Sequence, residues 1–352
     1  MSQTGADGRG TTIARVMTGD GVELHVEVEQ PDRSTQHTMA EPTFVLSHGY
    51  TLDRRCWIYQ RRALVAAGHR VVLWDQRGHG RSGKGSTGHY TIDRLGADLA
   101  CVIGATVPDQ PVVLVGHSMG GMAMMALAEH YPQVISDQVV AVAFIDSSGG
   151  QMHEVDWGLG RRGGDVINRL GPRATAALAP YQDRVARVLT TVPWLGRPAV
   201  AASSFGSRVP TPVTMLTAQM MLETDFEVTS AFAPTLTAHD KEQALSALEH
   251  LPALIMVGDR DVLTPMRHSD ALAQAIPDAE YVVVRRAGHV MVVEHPELIT
   301  DHLLDLLRRV SRVLGGQQQA PTGRRDRSLV TLHSTNLRRG RGRRALTVGI
   351  AS

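Results

Sequence analysis

The sequence is poor in the residues and runs that mark several protein classes. Only two cysteines occur, Cys56 and Cys101. That excludes a disulfide-dense scaffold and any zinc site built from four cysteines. No apolar run reaches the ~18–20 residues a membrane helix needs. The first ten residues are polar and Gly-rich, without the apolar segment of a signal peptide. The expected location is therefore cytoplasmic. Net charge is also nearly absent, at +1 over 352 residues. The body of the chain gives no reason to expect a nucleic-acid partner. What is present is a hydrophobic fraction of 43%, enough for a sizeable core.

The charge that exists is uneven. Residues 316–352 hold eight arginines against one acid, Asp326. With the run Gly316-Gln317-Gln318-Gln319 and little apolar periodicity, this tail reads as a disordered basic appendage. Weak contact with anionic surfaces is the partner it suggests.

Short β-rich runs alternate with amphipathic helical runs, which predicts an α/β fold with a mostly parallel sheet flanked by helices. Residues 12–18 and 22–29 flank the turn Gly19-Asp20-Gly21 and predict a hairpin. Strands are predicted at 44–46, 70–74, 112–115, 139–145, 251–257 and 281–284. Helices are predicted at 54–67, 91–105, 119–130, 266–275 and 296–314. The alternation stops between Gly149 and roughly Pro234. An interruption of roughly 85 residues is too long for a plain loop, so it predicts an inserted, mainly helical cap. The chain thus divides into a core (1–149 and 236–315), a cap (150–235) and the tail (316–352).

The strongest local signal is Val112-Val113-Leu114-Val115-Gly116-His117-Ser118-Met119-Gly120-Gly121. A β-branched strand runs into Gly-x-Ser-x-Gly and then a helix. A turn that tight excludes side chains two residues either side of the serine and strains the serine itself. It also sets the hydroxyl at a helix N-terminus, where developing negative charge is favoured. A serine hydroxyl needs a base. Of sixteen histidines, His289 stands out, just past a strand in Arg286-Ala287-Gly288-His289. His295 and His302 fall on or near the last helix. The base needs an acid. Three aspartates compete: Asp259 and Asp261 after the strand ending at Val257, and Asp146 after the strand ending at Ile145. Asp261 lies deeper in its loop and is preferred. Asp259 fits a loop-bracing role or a pair with Arg260. An oxyanion hole needs two backbone N–H groups, one of them on the residue after the nucleophile. Met119 is that residue, and Tyr50 in Ser47-His48-Gly49-Tyr50 is the second candidate. His48 then braces the loop.

Taken together, His48-Gly49, the segment Asp75-Gln76-Arg77-Gly78-His79-Gly80-Arg81-Ser82, the Ser118 motif, Gly258-x-x-Asp261 and Gly288-His289 resemble the α/β-hydrolase superfamily, in its serine esterase and monoacylglycerol-lipase-like branch. The resemblance covers roughly residues 10–149 and 236–314. It implies Ser118 as nucleophile, His289 as base and Asp261 as orienting acid. It gives Asp75 and Arg77 a loop-tying role. Dehalogenases and epoxide hydrolases of this fold use aspartate as nucleophile, so Ser118 argues against both. The expected activity is carboxylic-ester hydrolysis through an acyl-enzyme, on a small apolar ester. The alternatives are C–C bond, lactone or haloperoxidase-type chemistry with the same triad, or a slow-turnover ligand sensor. Residues 213–222 carry apolar side chains at helical spacing, which fits a face packed on the core or a substrate tunnel. Trp57 fits either a pocket wall or packing. No phosphate-binding glycine loop and no zincin spacing occur, so no cofactor and no metal are expected.

Overall fold

The computed structural model describes residues 3–4, 10–31, 41–155, 160–191, 193–315 and 346–348. Strands β1 (Gln3–Thr4), β2 (Thr11–Met17) and β3 (Glu23–Glu29) open the chain. They pair antiparallel, Thr12 opposite Val28, about the turn at Gly19–Gly21. β4 (Thr43–Ser47), helix α1 (Ile58–Ala66), β5 (Val71–Trp74), α2 (Ile92–Thr106), β6 (Val112–His117) and α3 (Met119–His130) follow. Next come α4 (Pro132–Gln138) and β7 (Val139–Ile145). The last third holds β8 (Ala253–Gly258), β9 (Glu280–Val284) and β10 (Leu346–Val348). All ten strands form one sheet in the order β1-β2-β3-β5-β4-β6-β7-β8-β9-β10. From β5 to β10 every pairing is parallel. The predicted α/β class and mostly parallel sheet are what the chain adopts.

Period-two alternation sends side chains to both faces of this sheet. Val45, Val72, Leu114, Val142 and Ile255 pack on one side, against Leu99, Val102 and Ile103 of α2 and Met124 of α3. Leu46, Leu73, Val113, Ala143 and Met256 pack on the other, with Leu64 of α1. The same side takes Ile299, Leu303, Leu306 and Val310, spaced at helical period on the C-terminal helix Pro296–Gly315. A strand covered on both faces needs no polar alternation, which is why these segments read as apolar runs.

Between β7 and β8 the chain forms helices α5 (Gly160–Leu178), α6 (Gln182–Thr191), α7 (Pro193–Ser204), α8 (Thr211–Glu223) and α9 (Phe226–Thr237). After β8 come α10 (Met266–Ala275), α11 (Met291–Glu294) and α12 (Pro296–Gly315). The α7–α8 connection presses on the loop after β9. A Cβ on Gly206 would lie 2.5 Å from the Ala287 carbonyl carbon, and one on Gly288 2.6 Å from that of Phe205. The Val290 N–H also donates to the Ser204 carbonyl at 2.8 Å.

The predicted helix at 119–130 is observed with those bounds as α3. Pro132 opens α4, a short helix the sequence reading did not name, as its first residue, where its missing N–H is unneeded. Within the tail, Leu346-Thr347-Val348 pairs parallel to β9, with Leu346 opposite Val282. That triplet has the β-prone residues to cover an otherwise open sheet edge. The rest of residues 316–352 lies outside the described residues.

The segment after β5 ties this framework together. Arg77 is fully buried and donates to both Asp98 oxygens, at 2.7 and 2.6 Å, and to Asp20 at 2.8 and 3.0 Å. Asp75 accepts from the Arg54 backbone and guanidinium and from the Arg81 backbone. Removing Arg77 strands the buried Asp98 carboxylate, while Asp20 keeps Thr18 and His89 as partners. Arg77→Ala is expected to cost about 3–5 kcal/mol. Urea unfolding of the variant measures it, and a midpoint unchanged from wild type would contradict the account. Lysine at this position should not restore the loss, since it lacks the bidentate fork.

Candidate active site

Ser118 sits at the end of β6 with φ at +51°. Few non-glycine residues tolerate that region, and those that do are held there by their surroundings. Here the holders are close. The Ser118 N–H donates to the Ile145 carbonyl at 3.0 Å, and the Ser147 hydroxyl donates to the Ser118 carbonyl at 2.8 Å. The motif glycines are needed for room. A Cβ on Gly116 would lie 2.4 Å from Gly121 N, and one on Gly120 2.2 Å from the Ser47 carbonyl oxygen.

His289 arrives on the loop after β9 and Asp261 on the turn after β8. His289 Nε2 lies 2.9 Å from Ser118 Oγ. His289 Nδ1 lies 2.8 Å from Asp261 Oδ2. A carboxylate only accepts, so Nδ1 carries the proton and Nε2 is left to accept from the serine hydroxyl. Asp261 Oδ1 also accepts from Leu263 N and Thr264 N, at 2.7 and 2.9 Å. Burial alone would raise the Asp261 pKa. The adjacent imidazole and the Thr264 donors outweigh it and hold the carboxyl below its usual range. The three residues singled out in the sequence are thus brought into one hydrogen-bonded chain.

The competing aspartates take other places. Asp146 ends β7 fully buried, accepts from Gly258 N at 2.9 Å and makes no bond to His289. Burial pushes its pKa well above the ordinary value, helped by the Asp261 charge. Asp259 braces its loop by accepting from Arg286 N at 2.5 Å. Arg260 donates to the Gly206 carbonyl at 2.7 Å instead of pairing with Asp259.

Three neighbours carried no role in the sequence reading. The Thr264 hydroxyl lies 2.7 Å from Asp261 Oδ2 and 2.9 Å from the Asp146 carbonyl, bridging the two loops. The spacing Asp-x-x-Thr, with an Asx-type turn, was the available signal. His117 Nε2 donates to the His289 carbonyl at 2.7 Å and so fixes that loop. The Glu294 carboxylate accepts from Gly288 N at 2.7 Å.

Tyr50 and Met119 lie beside the serine. A Cβ on Gly49 would stand 3.2 Å from Ser118 Cβ, so the Tyr50 loop runs directly alongside. Among the described residues, no turn, loop or cap hydrogen bond uses the N–H of Tyr50 or Met119. The Tyr50 phenol donates to the Thr229 carbonyl of α9, and burial raises its pKa. His48 braces the loop: Nδ1 donates to the Gly49 carbonyl at 2.8 Å and Nε2 accepts from Gln76 N at 2.9 Å.

Above Ser118 and His289 lies a cavity of about 350 Å³. Leu52, Ile167, Pro172, Met221, Leu236 and Val290 supply much of its apolar wall. The apolar stripe of residues 213–222 divides: Val213 and Met220 pack inward, and Met221 reaches the cavity. Trp57 is fully buried in the core below α1 and does not line the cavity. One group of potential metal-ligand side chains exists among the described residues, Asp93, Glu129 and His130. Lys241 Nζ lies 2.7 Å from Asp93 and also bonds Glu129, so an ammonium already serves both carboxylates.

Buried neutral histidines make the fold acid-sensitive. Burial holds the pKa of His48 and His239 at about 4, and that of His79 and His117 at about 3. An unfolded histidine titrates near 6.5. Between those values the unfolded chain binds protons that the folded chain does not. The stability is therefore fully present above about pH 6.5 and is lost as pH falls toward the folded values. The expected loss is on the order of 2 kcal/mol per histidine by pH 5. Urea midpoints at pH 7 and pH 5 measure it, and equal midpoints would show that these rings are not held neutral.

The comparisons with known proteins agree with this architecture. The family model described as alpha/beta hydrolase fold matches residues 42–296. The "Putative carbamate hydrolase RutD" of Variovorax paradoxus (strain S110) is 27% identical over 288 residues, spanning 82% of this chain and 97% of that protein. An esterase from Exiguobacterium antarcticum superposes with a TM-score of 0.64 at 19% identity, covering 84% of this chain and 99% of its own. The enol-lactonase from Burkholderia xenovorans LB400 gives a TM-score of 0.61 at 24% identity, covering 84% and 100%. The match spans the serine, aspartate and histidine loops alike, and the chain belongs to the alpha/beta hydrolase fold family.

Proposed function

We propose that this hydrolase is a serine enzyme that cleaves carboxylic esters with an apolar acyl group through an acyl-enzyme intermediate. The observation that carries the reading is the Ser118–His289–Asp261 hydrogen-bonded chain at the floor of an apolar cavity. In this scheme Ser118 Oγ attacks the ester carbonyl carbon, and its proton passes to His289 Nε2. Asp261 keeps the ring oriented and stabilises the imidazolium. The N–H groups of Tyr50 and Met119 stabilise the oxyanion. His289 then protonates the departing alkoxide. Water repeats the sequence on the acyl-enzyme, with His289 as base. Thr264 acts as a positioning residue, holding the Asp261 oxygen that faces the ring.

A second reading comes from the relative named a carbamate hydrolase, whose length this chain nearly spans. The same addition step serves a carbamate carbonyl. The apolar lining weighs toward the ester, since a small carbamate buries little apolar surface. A panel of p-nitrophenyl esters of rising acyl length, run beside a simple alkyl carbamate, separates the two. The ester reading expects steady turnover, with kcat/KM rising about fourfold per methylene until the cavity is filled. Carbamate turnover without ester turnover would overturn it. A burst of one equivalent followed by a stall would instead indicate a ligand sensor.

A further inference from the structure

A second cavity of about 530 Å³ lies on the other side of the His289 loop and shares no lining residue with the first. Four arginines border it from three separate segments. Arg208 comes from the α7–α8 connection, Arg260 from the turn after β8, and Arg285 and Arg286 from the loop after β9. One carboxylate, Glu294, also lines it. That carboxylate is fully buried and already satisfied. It accepts from Gly206 N at 3.2 Å, Ser207 N and Ser207 Oγ at 2.6 Å each, and Gly288 N at 2.7 Å. Among the described residues, none of the four guanidiniums pairs with a carboxylate. His295 adds a buried Nε2 with no hydrogen-bond partner, 3.9 Å from the nearest Glu294 oxygen.

Arg260, Arg285 and Arg286 are exposed, so water and salt screen part of their repulsion, and a bound counter-charge would relieve what remains. Guanidinium groups match oxyanions through paired N–H donors. We propose that this cavity binds a phosphate-class oxyanion carrying at least two negative charges. Once bound, the anion links Arg208 of the inserted helices to the loops that carry Asp261 and His289. The site is independent of the ester reading, because it shares no lining residue with the cavity above Ser118.

Calorimetric titration of the full chain tests this at constant ionic strength, with chloride as background and inorganic phosphate, pyrophosphate, ADP and citrate as ligands. Pyrophosphate is expected to bind saturably with a Kd at or below about 1 mM. ADP binding tighter than pyrophosphate supports the site with a nucleotide as the source of the phosphate. Equal binding supports free phosphate. The Arg208→Gln, Arg285→Gln double variant is expected to weaken binding at least about tenfold. Its ester turnover in chloride should match wild type, which reports correct folding. Arg208→Gln alone provides the same comparison with less risk to the fold. The proposal fails if no phosphate compound binds saturably, if citrate outcompetes pyrophosphate, or if the variants bind as wild type does.

Discussion

Ser118→Ala is expected to reduce ester turnover by about 10^6 and leave the fold intact. The size follows from what the hydroxyl does in the proposed mechanism. Without Oγ there is no covalent intermediate, and only the oxyanion donors and the cavity remain. Those can supply a residual about 10^3–10^4 over water. The intact fold follows from the local structure. The strained backbone at Ser118 is held by its N–H and carbonyl bonds to Ile145 and Ser147, which alanine keeps. The lost side-chain bond is the one to His289 Nε2, at a cavity wall rather than in the sealed core. Melting temperature and calorimetric binding of a non-hydrolysable ester analogue should be close to wild type. A folded variant that keeps more than about one-hundredth of the activity would remove Ser118 from the mechanism.

Asp261→Asn should lower turnover by about 10^4 at neutral pH. An amide can turn its N–H toward His289 Nδ1. That favours the tautomer with the proton on Nε2, which can no longer accept from Ser118. It also removes the charge that stabilises the imidazolium. The fold should survive, since the asparagine oxygen can still accept from Leu263 and Thr264. Asp146→Asn is the informative partner. Burial pushes the pKa of that carboxyl well up, it makes no bond to His289, and an amide oxygen can still accept from Gly258. Turnover within about tenfold of wild type is expected, with any defect appearing as lost stability of about 1–3 kcal/mol. The opposite pattern, with Asp146→Asn folded and inactive, would move the acid to the strand β7 terminus.

Much of this was legible in the sequence because local rules governed it. The sheet strands announced themselves as apolar runs bounded by turns. Ser118 was marked by glycines whose missing side chains the turn requires. Asp261 and His289 were readable because each follows a strand within a few residues. The parts that escaped depend on contacts between distant segments. Thr264 joins Asp261 to Asp146, and nothing local in the strand ending at Ile145 announces that partner. Glu294 caps backbone N–H groups from two loops, and no local pattern around it marks that role. Ile167, Met221 and Leu236 converge on one cavity from three different helices. Their periodicity marks a buried face without saying which cavity it meets. The pairing of residues 346–348 with β9 likewise follows from an open sheet edge, not from the arginine-rich composition around them.

The contact of Gly206 with Gly288 fastens the α7–α8 end of the inserted helices to the histidine loop. No side chain separates the two backbones there, and the Val290 and Gly206 amides add bonds across the seam. The opposite wall is built from Ile167 and Pro172 of α5 and Leu236 of α9, and α9 is itself pinned to the core by Val228, Phe232 and the Tyr50–Thr229 bond. Substitutions on the α5 face of that wall, at Ile167 or Pro172, can therefore reshape the cavity without touching the seam that seats His289.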